Sequence, residues 1–346
     1  MTPPKLSVVM PVKNEIKALP ALLEALLDQD CEAFEIIVAD GGSTDGTREF
    51  VAQLASTSRV PVILVDNAKI RSGPGRNAGV RQARGEIIVF LDGHCSLPSR
   101  SLLRDTIALF ESTAADCLCR PQPLLAHANS PTGKLIAAVR ASTLGHGRDS
   151  LIYDTQFSGF VDPASSGASY RRQVFDAIGF YDEAFDACED VEFNTRLRKT
   201  GMKAYTDPRL TVHYEPRGSL RALTRQMANY GTGRVRLAFK HPDGISLAQF
   251  APLGLLLITT LAVMSLPFAG LVRTALLFLL ALYLDLVVVA SVQLARKHSA
   301  RYLWQAPPVY MAIHFGLGWG MLRELISRRT PSQVKRHLMK RQEICS

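Results

Sequence analysis

The chain is poor in features that mark a secreted protein. Its six cysteines, at 31, 95, 117, 119, 188 and 345, form no C-x-x-C unit and match no disulfide framework, so reduced thiols are expected. A zinc site built from His94, Cys95, Cys117 and Cys119 lacks the usual ligand spacing and is disfavoured. The N-terminal stretch MTPPKLSVVMPVKNE holds one short apolar run that meets Lys13 and Glu15, and it does not read as a secretory signal. RNP aromatics and zinc-finger spacings are also missing. The formal net charge of +9 over 346 residues therefore does not argue for a nucleic-acid partner. A basic balance also suits an anionic membrane or a phosphorylated substrate. The stretch from Gly73 to Gly79, GPGRNAG, fails the G-x-G-x-x-G spacing, which argues against a nicotinamide enzyme.

What is present begins as an alternation. Leu6–Val12, Phe34–Ala39, Val60–Val65 and Glu86–Leu91 read as strands, the first of them buried and the second apolar and β-branched. Between them Leu19, Leu22, Leu23, Leu26 and Leu27 repeat at helical spacing, and the segments from Thr47 and from Arg76 also look helical. The expected fold is α/β, with a mostly parallel sheet covered by helices on both faces. Such sheets bind ligands at the carboxyl ends of their strands. Asn14-Glu15, Asp40 and Asp92-Gly93-His94 each follow a strand and should converge on one crevice. Residues 121–217 are less regular. A helix is expected from Asp190 to Lys199, and Lys203 to Tyr214 suggests a strand pair broken at Asp207-Pro208.

The character changes after residue 217. In residues 218–246, Leu220, Leu223, Met227 and Tyr230 share one helical face, and Arg221, Arg225, Arg234, Arg236 and Lys240 are also present. This reads as a basic amphipathic segment at a membrane interface, with an ordinary surface helix as the plain alternative. Residues 247–322 read as a membrane domain of two or three helices. Phe250 to Val272 has no charged residue, and Thr274 to Ala295 has one, Asp285. Tyr302 to Leu322 is weakened by Gln305, Pro307, Pro308 and His314. Asp285 is costly in lipid and is expected to face protein or a polar cavity, contact a lipid diphosphate, or pair with His314. Arg296, Lys297 and Arg301 outweigh Arg273, so the positive-inside rule puts the second link and residues 1–246 in the cytosol. The basic tail, 323–346, conflicts with a third full crossing, so the third segment is read as re-entrant or interfacial.

Taken singly, the polar residues at the strand ends are weak signals. Asp40-Gly41-Gly42-Ser43 reads equally as a turn and Asp45 as a helix cap. Glu189-Asp190 reads equally as an acidic pair favoured by a helix dipole. Taken in order, VVMPVKNE, VADGGSTDGT, GPGRNAGVRQARGEIIVFLDGH and GFYDEAFDACEDVEFNTRLRKTG resemble the family 2 glycosyltransferases, which have a GT-A nucleotide-sugar-binding fold. The likeness covers about residues 5–215. With the attached spans, Asp-Gly-His, Arg225-Gln226 with Tyr230-Gly231, and HFGLG at 314–318, it is similar to bacterial exopolysaccharide enzymes of the succinoglycan type.

The resemblance implies a catalytic domain over residues 1–217 at the inner (cytoplasmic) membrane, multi-pass and facing the cytosol. It implies a nucleotide-diphosphate sugar donor and a lipid-linked, polyprenyl-diphosphate saccharide as acceptor. By resemblance Pro11 and Glu15 border the nucleotide base, Asp40 meets base or ribose, and Arg76 approaches base or phosphates. Asp92 takes the first position of the family's Asp-x-Asp motif, on the donor and on a divalent metal. Asp190, with Glu189 beside it, matches the catalytic base of an inverting single displacement. Two departures follow. The Gln-x-x-Arg-Trp of processive synthases is absent, which favours addition of a single hexose. His94 stands where the family usually has aspartate, and His213 is a second candidate metal ligand. Imidazole suits Mn²⁺ better than Mg²⁺, so His94 either favours Mn²⁺ or donates a hydrogen bond to the diphosphate. A polyprenyl-phosphate acceptor, and an inactive nucleotide-sugar-binding subunit, are the alternative readings.

Overall fold

The computed structural model describes residues 3–126, 130–146, 151–164, 167–244, 246–268 and 270–328. Most of the basic tail, from residue 329 on, lies outside the described residues. The chain divides into two compact units, Met1–Pro216 and Arg217–Ser346.

The first unit opens with β1 (Leu6–Val12), α1 (Leu19–Leu27), β2 (Phe34–Asp40), α2 (Thr47–Thr57), β3 (Val62–Asp66), α3 (Ser72–Gln82) and β4 (Ile87–Phe90). It continues with β5 (Cys95–Ser96), α4 (Leu102–Ser112), β6 (Cys117–Cys119), α5 (Pro131–Arg140), α6 (Thr143–His146), β7 (Gly159–Val161) and β8 (Gly167–Arg171). It closes with α7 (Gln173–Ile178), α8 (Glu189–Lys199), β9 (Ala204–Thr206) and β10 (His213–Tyr214). The main sheet has eight strands in the order β3-β2-β1-β4-β8-β6-β9-β7. Strands β7 and β8 run against the rest. Strands β5 and β10 form a separate antiparallel pair.

The apolar runs are continuous because the sheet is buried on both sides. Leu6, Val8, Met10 and Val12 face one core with Leu19, Leu22, Leu23 and Leu26 of α1. Val9, Ile37, Ile88 and Phe90 face the other, with Val80 of α3 and Phe193 of α8. Cys95 packs in the first core while Cys117 and Cys119 pack in the second, so these thiols do not gather into a zinc site. Burial pushes the Cys95 thiol up to about 12. A fully buried carboxylate, Glu35, fastens the entry to the sheet. It accepts from Ser7 Oγ (2.8 Å), Arg84 N (2.7 Å) and Arg84 Nε (2.8 Å).

The glycines of GPGRNAG serve packing. A Cβ at Gly79 would sit 2.3 Å from Val9 Cγ1, and one at Gly75 would sit 3.0 Å from Pro11 Cβ. Helix α3 therefore lies close on β1, and this brings Arg76 to the strand ends. Gly79→Ala is expected to destabilise the fold by about 1–3 kcal/mol. Thermal unfolding of the detergent-solubilised chain would read this as a lower midpoint.

The expected strand pair over Lys203–Tyr214 is instead two strands in two sheets. The Asp207 carboxylate accepts from Arg209 N (3.0 Å) and begins a single turn at Pro208 that redirects the chain. Beyond it, Val212 N and Tyr214 N donate to Pro121 O and Pro123 O.

The second unit contains α9 (Leu220–Lys240), α10 (Ala251–Met264), α11 (Leu271–Lys297) and α12 (Tyr302–Ser327). Among the described residues, Leu247–Met264 and Leu271–Lys297 are long and apolar enough to cross a membrane. The basic segment is not a lone surface helix, because α9 packs on α12 at backbone distance. A Cβ at Gly231 would meet Leu317 O at 2.1 Å, and one at Gly320 would meet Ala228 O at 1.9 Å. Arg236 and Glu324 (3.0 Å) and a Thr232 Oγ1 bond to Gly320 O (3.2 Å) add polar ties. Asp285 does not take His314 as its partner. Asp285 is exposed on α11, and the ring of His314 meets the Tyr283 hydroxyl, with Nδ1 3.1 Å away. Two residue steps along α11 place Tyr283 and Asp285 about 200° apart around the axis, so only one of them can face α12.

Candidate active site

Strands β1, β2 and β4 are parallel and adjacent, so the residues that follow them emerge at one edge. Arg76 reaches that edge from α3, and Glu189 from the first turn of α8. Arg76 Nη2 lies 3.3 Å from Asp92 Oδ1, and Nη1 lies 3.1 Å from Glu189 Oε1. The guanidinium also stands over the rings of Phe90 (5.7 Å) and Tyr181 (5.4 Å). Burial works against its charge, but Glu189 and Asp92 outweigh that and hold its pKa above the usual range. Tyr181 is itself fixed by α3, since Asn77 Nδ2 donates to Tyr181 O and Tyr181 N donates to Asn77 Oδ1, both at 2.9 Å.

The two acidic neighbours differ sharply. Glu189 is buried, and burial raises its carboxyl above the ordinary carboxylate range, with Arg76 pulling the other way. Asp190 is exposed, and its Oδ1 accepts from Val191 N at 2.8 Å. Cys188 ahead of them has a φ of 62°, a strained geometry for a side chain. Chemically, Glu189 is a locked partner of Arg76, while Asp190 has the solvent access a proton acceptor needs.

The Asp92-Gly93-His94 turn is closed by Cys95 N donating to Asp92 O (3.2 Å). The middle residue is closely packed, since a Cβ at Gly93 would lie 3.1 Å from both Glu15 Cγ and Val12 Cγ1. Glu15 crosses this space, and its Oε1 lies 3.1 Å from His94 Nδ1. The other face of the ring meets Tyr214 edge-on, with centroids 5.4 Å apart. His213 lies opposite Ser96 in the β5–β10 pair, and among the described residues no three His, Cys, Asp or Glu side chains gather closely enough to hold a metal ion, so His213 does not join Asp92 and His94 as a third ligand. The chain thus offers a carboxylate and an oriented imidazole two residues apart. That donor set fits a divalent cation whose remaining ligands are phosphate oxygens, because such ions need only one or two protein carboxylates beside a substrate. A carboxylate on the far ring nitrogen is the usual support of a metal-binding histidine.

The other expected donor-side residues are placed as follows. Pro11 is half-buried at the end of β1. Asp40 turns inward, its side chain fully buried, accepting from Gly42 N (3.1 Å) and Ser43 N (3.2 Å), with Arg48 Nη1 at 3.4 Å. The loop after β1 is laced to this turn, since Asn14 N donates to Ser43 Oγ and Thr44 N donates to Asn14 Oδ1. Arg120 was not legible in the sequence. It follows the three-residue strand β6, is 5% exposed, and donates from Nη1 to the carbonyl of Phe90 at 2.6 Å. Its Nε is buried without a partner, and burial lowers its pKa. Strand β6 runs parallel to β4, so Arg120 pins the strand end that carries Asp92. The single hint was a basic residue directly after an apolar CLC run.

Comparison with known proteins bears on the family and the fold. The model of glycosyl transferase family 2 matches residues 7–179. The succinoglycan biosynthesis protein ExoA of Rhizobium meliloti is 31% identical over 71% of this chain and 74% of its own length. A dolichyl N-acetyl-α-D-glucosaminyl phosphate 3-β-D-2,3-diacetamido-2,3-dideoxy-β-D-glucuronosyltransferase of Methanococcus voltae is 23% identical over 93% of this chain and 97% of its own. The solved mannosyltransferase PcManGT of Pyrobaculum calidifontis, in complex with GDP-Man and Mn²⁺, shares the fold. It covers 95% of this chain and 89% of its own, with a TM-score of 0.63 at 17% identity.

Proposed function

The chain belongs to glycosyl transferase family 2, and from that premise we propose that it transfers one hexose, with inversion, from a nucleotide-diphosphate sugar to a lipid-linked saccharide. The observation that carries this is the Arg76 bridge between Asp92 and Glu189 beside an exposed Asp190. It supports a reading in which a donor-side carboxylate, Asp92, and a solvent-reachable acid, Asp190, serve one site. Arg76 and Asp92 would meet the donor's diphosphate end. Asp190 would take the proton of the acceptor hydroxyl as its oxygen bonds to the anomeric carbon. The bond from that carbon to the diphosphate breaks in the same step, and the nucleoside diphosphate leaves with the electron pair. Asp92 and His94 would hold a divalent cation, Mn²⁺ in preference to Mg²⁺. When bound, it would offset charge on the departing diphosphate.

Two relatives support this acceptor class, one named for succinoglycan biosynthesis and one for a sugar carried on dolichyl phosphate. Two apolar helices in the second unit support attachment to a membrane. The charge bias of their links favours a multi-pass inner-membrane protein with the catalytic unit in the cytosol.

The test is direct. Detergent-solubilised chain is incubated with a panel of nucleotide sugars and with polyprenyl-diphosphate saccharides or polyprenyl phosphate alone. Mass spectrometry should find one added hexose on the saccharide. Addition only to the bare phosphate would replace the acceptor, and no transfer with any pair would leave a binding subunit. The ring support also has a consequence: Glu15→Ala is expected to weaken Mn²⁺ binding by about 10–100-fold. Electron paramagnetic resonance titration of Mn²⁺ with nucleoside diphosphate present would read it.

A further inference from the structure

Ile70 is out of place by two ordinary criteria. Its φ is 69°, a left-handed backbone that β-branched residues rarely adopt. It is also 50% exposed. Both conditions are enforced by the loop between β3 and α3. Asn67 N donates to Asp40 O (2.8 Å), Ile70 N to Asn67 O (2.9 Å), Arg71 N to Lys69 O (2.8 Å), and Asn67 Nδ2 to Arg71 O (2.9 Å). The residues on either side are fastened as well, Lys69 to Glu183 and Arg71 to Asp186. Those two acids lie on the segment leading into Glu189-Asp190. Strain that survives in an over-determined loop is a reason to look for function.

The position is informative. A Cβ at Gly41 would lie 3.0 Å from Ile70 O and 3.3 Å from its Cα, so Ile70 sits over the chain directly after Asp40. Asp40 itself spends its carboxylate on its own turn. Among the exposed residues that end β3 and follow it, which include Asp66, Lys69 and Arg71, Ile70 is the one large aliphatic side chain. In the strand order β3-β2-β1-β4, β2 is two strands from β4, about 10 Å away at the usual strand spacing. That matches the reach of a nucleoside from its diphosphate to its base, with Arg76, Asp92 and His94 at the diphosphate end.

We propose that Ile70 is the aliphatic shelf on which the donor's nucleobase lies, and hence a specificity residue of the nucleotide site. This rests on the transferase reading above. An aliphatic group takes the flat face of a base and leaves its polar edge to others. The strained loop holds the shelf open before the donor arrives, so ordering is not required at binding.

Glycine and asparagine both tolerate this backbone, which separates the shelf from the scaffold. In the full detergent-solubilised chain, Ile70→Gly should unfold at the same temperature or higher, because strain is released. Titration calorimetry with Mn²⁺ present should nevertheless find nucleoside diphosphate bound about tenfold more weakly, from lost apolar contact. Inorganic diphosphate should bind as in the native chain. Ile70→Asn should behave like Ile70→Gly, and the KM for donor should rise with kcat unchanged. Unaltered nucleoside diphosphate binding by Ile70→Gly would overturn the inference. Equal weakening of inorganic and nucleoside diphosphate would also overturn it, as would a change confined to the acceptor's KM. A native chain that binds no nucleoside diphosphate would remove the transferase reading, and the shelf with it.

Discussion

Asp190→Asn is expected to lower the rate of sugar transfer by about 10²–10⁴-fold, the range for losing a general base, with donor binding unchanged. Asparagine keeps the size of the side chain and an oxygen that can still accept from Val191 N, the bond seen at 2.8 Å. The start of α8 therefore stays intact, and the lost property is proton uptake. Initial rates with labelled donor, alongside nucleoside diphosphate affinity, separate the two. Undiminished transfer would remove Asp190 from the role. The same substitution one residue earlier has a different meaning. Glu189 is buried and bonded to Arg76, so Glu189→Gln weakens a clamp before it touches chemistry.

Arg76→Met should produce the largest loss of stability at the site, about 3–5 kcal/mol, the cost of leaving a buried charge without its partner. Glu189 is that charge, and burial already raises its carboxyl. Without the guanidinium its pKa rises further above the unfolded value. The folded chain then holds a proton that the unfolded chain releases. Stability is present below the unfolded pKa and is lost as pH rises through the folded one. The variant should therefore unfold at a higher temperature near pH 5 than near pH 8, relative to the native chain. Adding Glu189→Gln should recover part of the loss, because the pair is in contact and its energies are not additive. An Arg76→Met chain as stable as the native one at pH 8 would show that the bridge holds nothing together.

The parts legible in the sequence are those where one local signal suffices. The runs in β1, β2 and β4 are apolar throughout because both faces are covered, and Arg76, Asp92 and Glu189 do come into contact at the strand ends. What failed to show has a shared cause. Strands β6, β7 and β9 have three residues each, too few to display a period, and partners far along the chain hold them. Arg120 meets Phe90, thirty residues away, and nothing near Arg120 announces that bond. The close approach of α9 to α12 was hidden for a different reason. Gly231, Gly316 and Gly320 leave no side-chain signal, yet their absence of a Cβ is what lets the backbones touch.

The contact between Gly79 and Val9 also limits the routes by which this chain can change. A side chain at position 79 has no room while Val9 keeps its methyl groups. Loss of those methyls alone would leave a void in the core shared with Ile37 and Ile88. Each step is unfavourable singly, and only the pair is tolerable. The two positions, seventy apart in the chain, are expected to be inherited as a unit: a relative with a larger residue at 79 should carry a smaller one at 9. Val8, although next to Val9, faces the opposite core, and its size is not tied to the residue at 79.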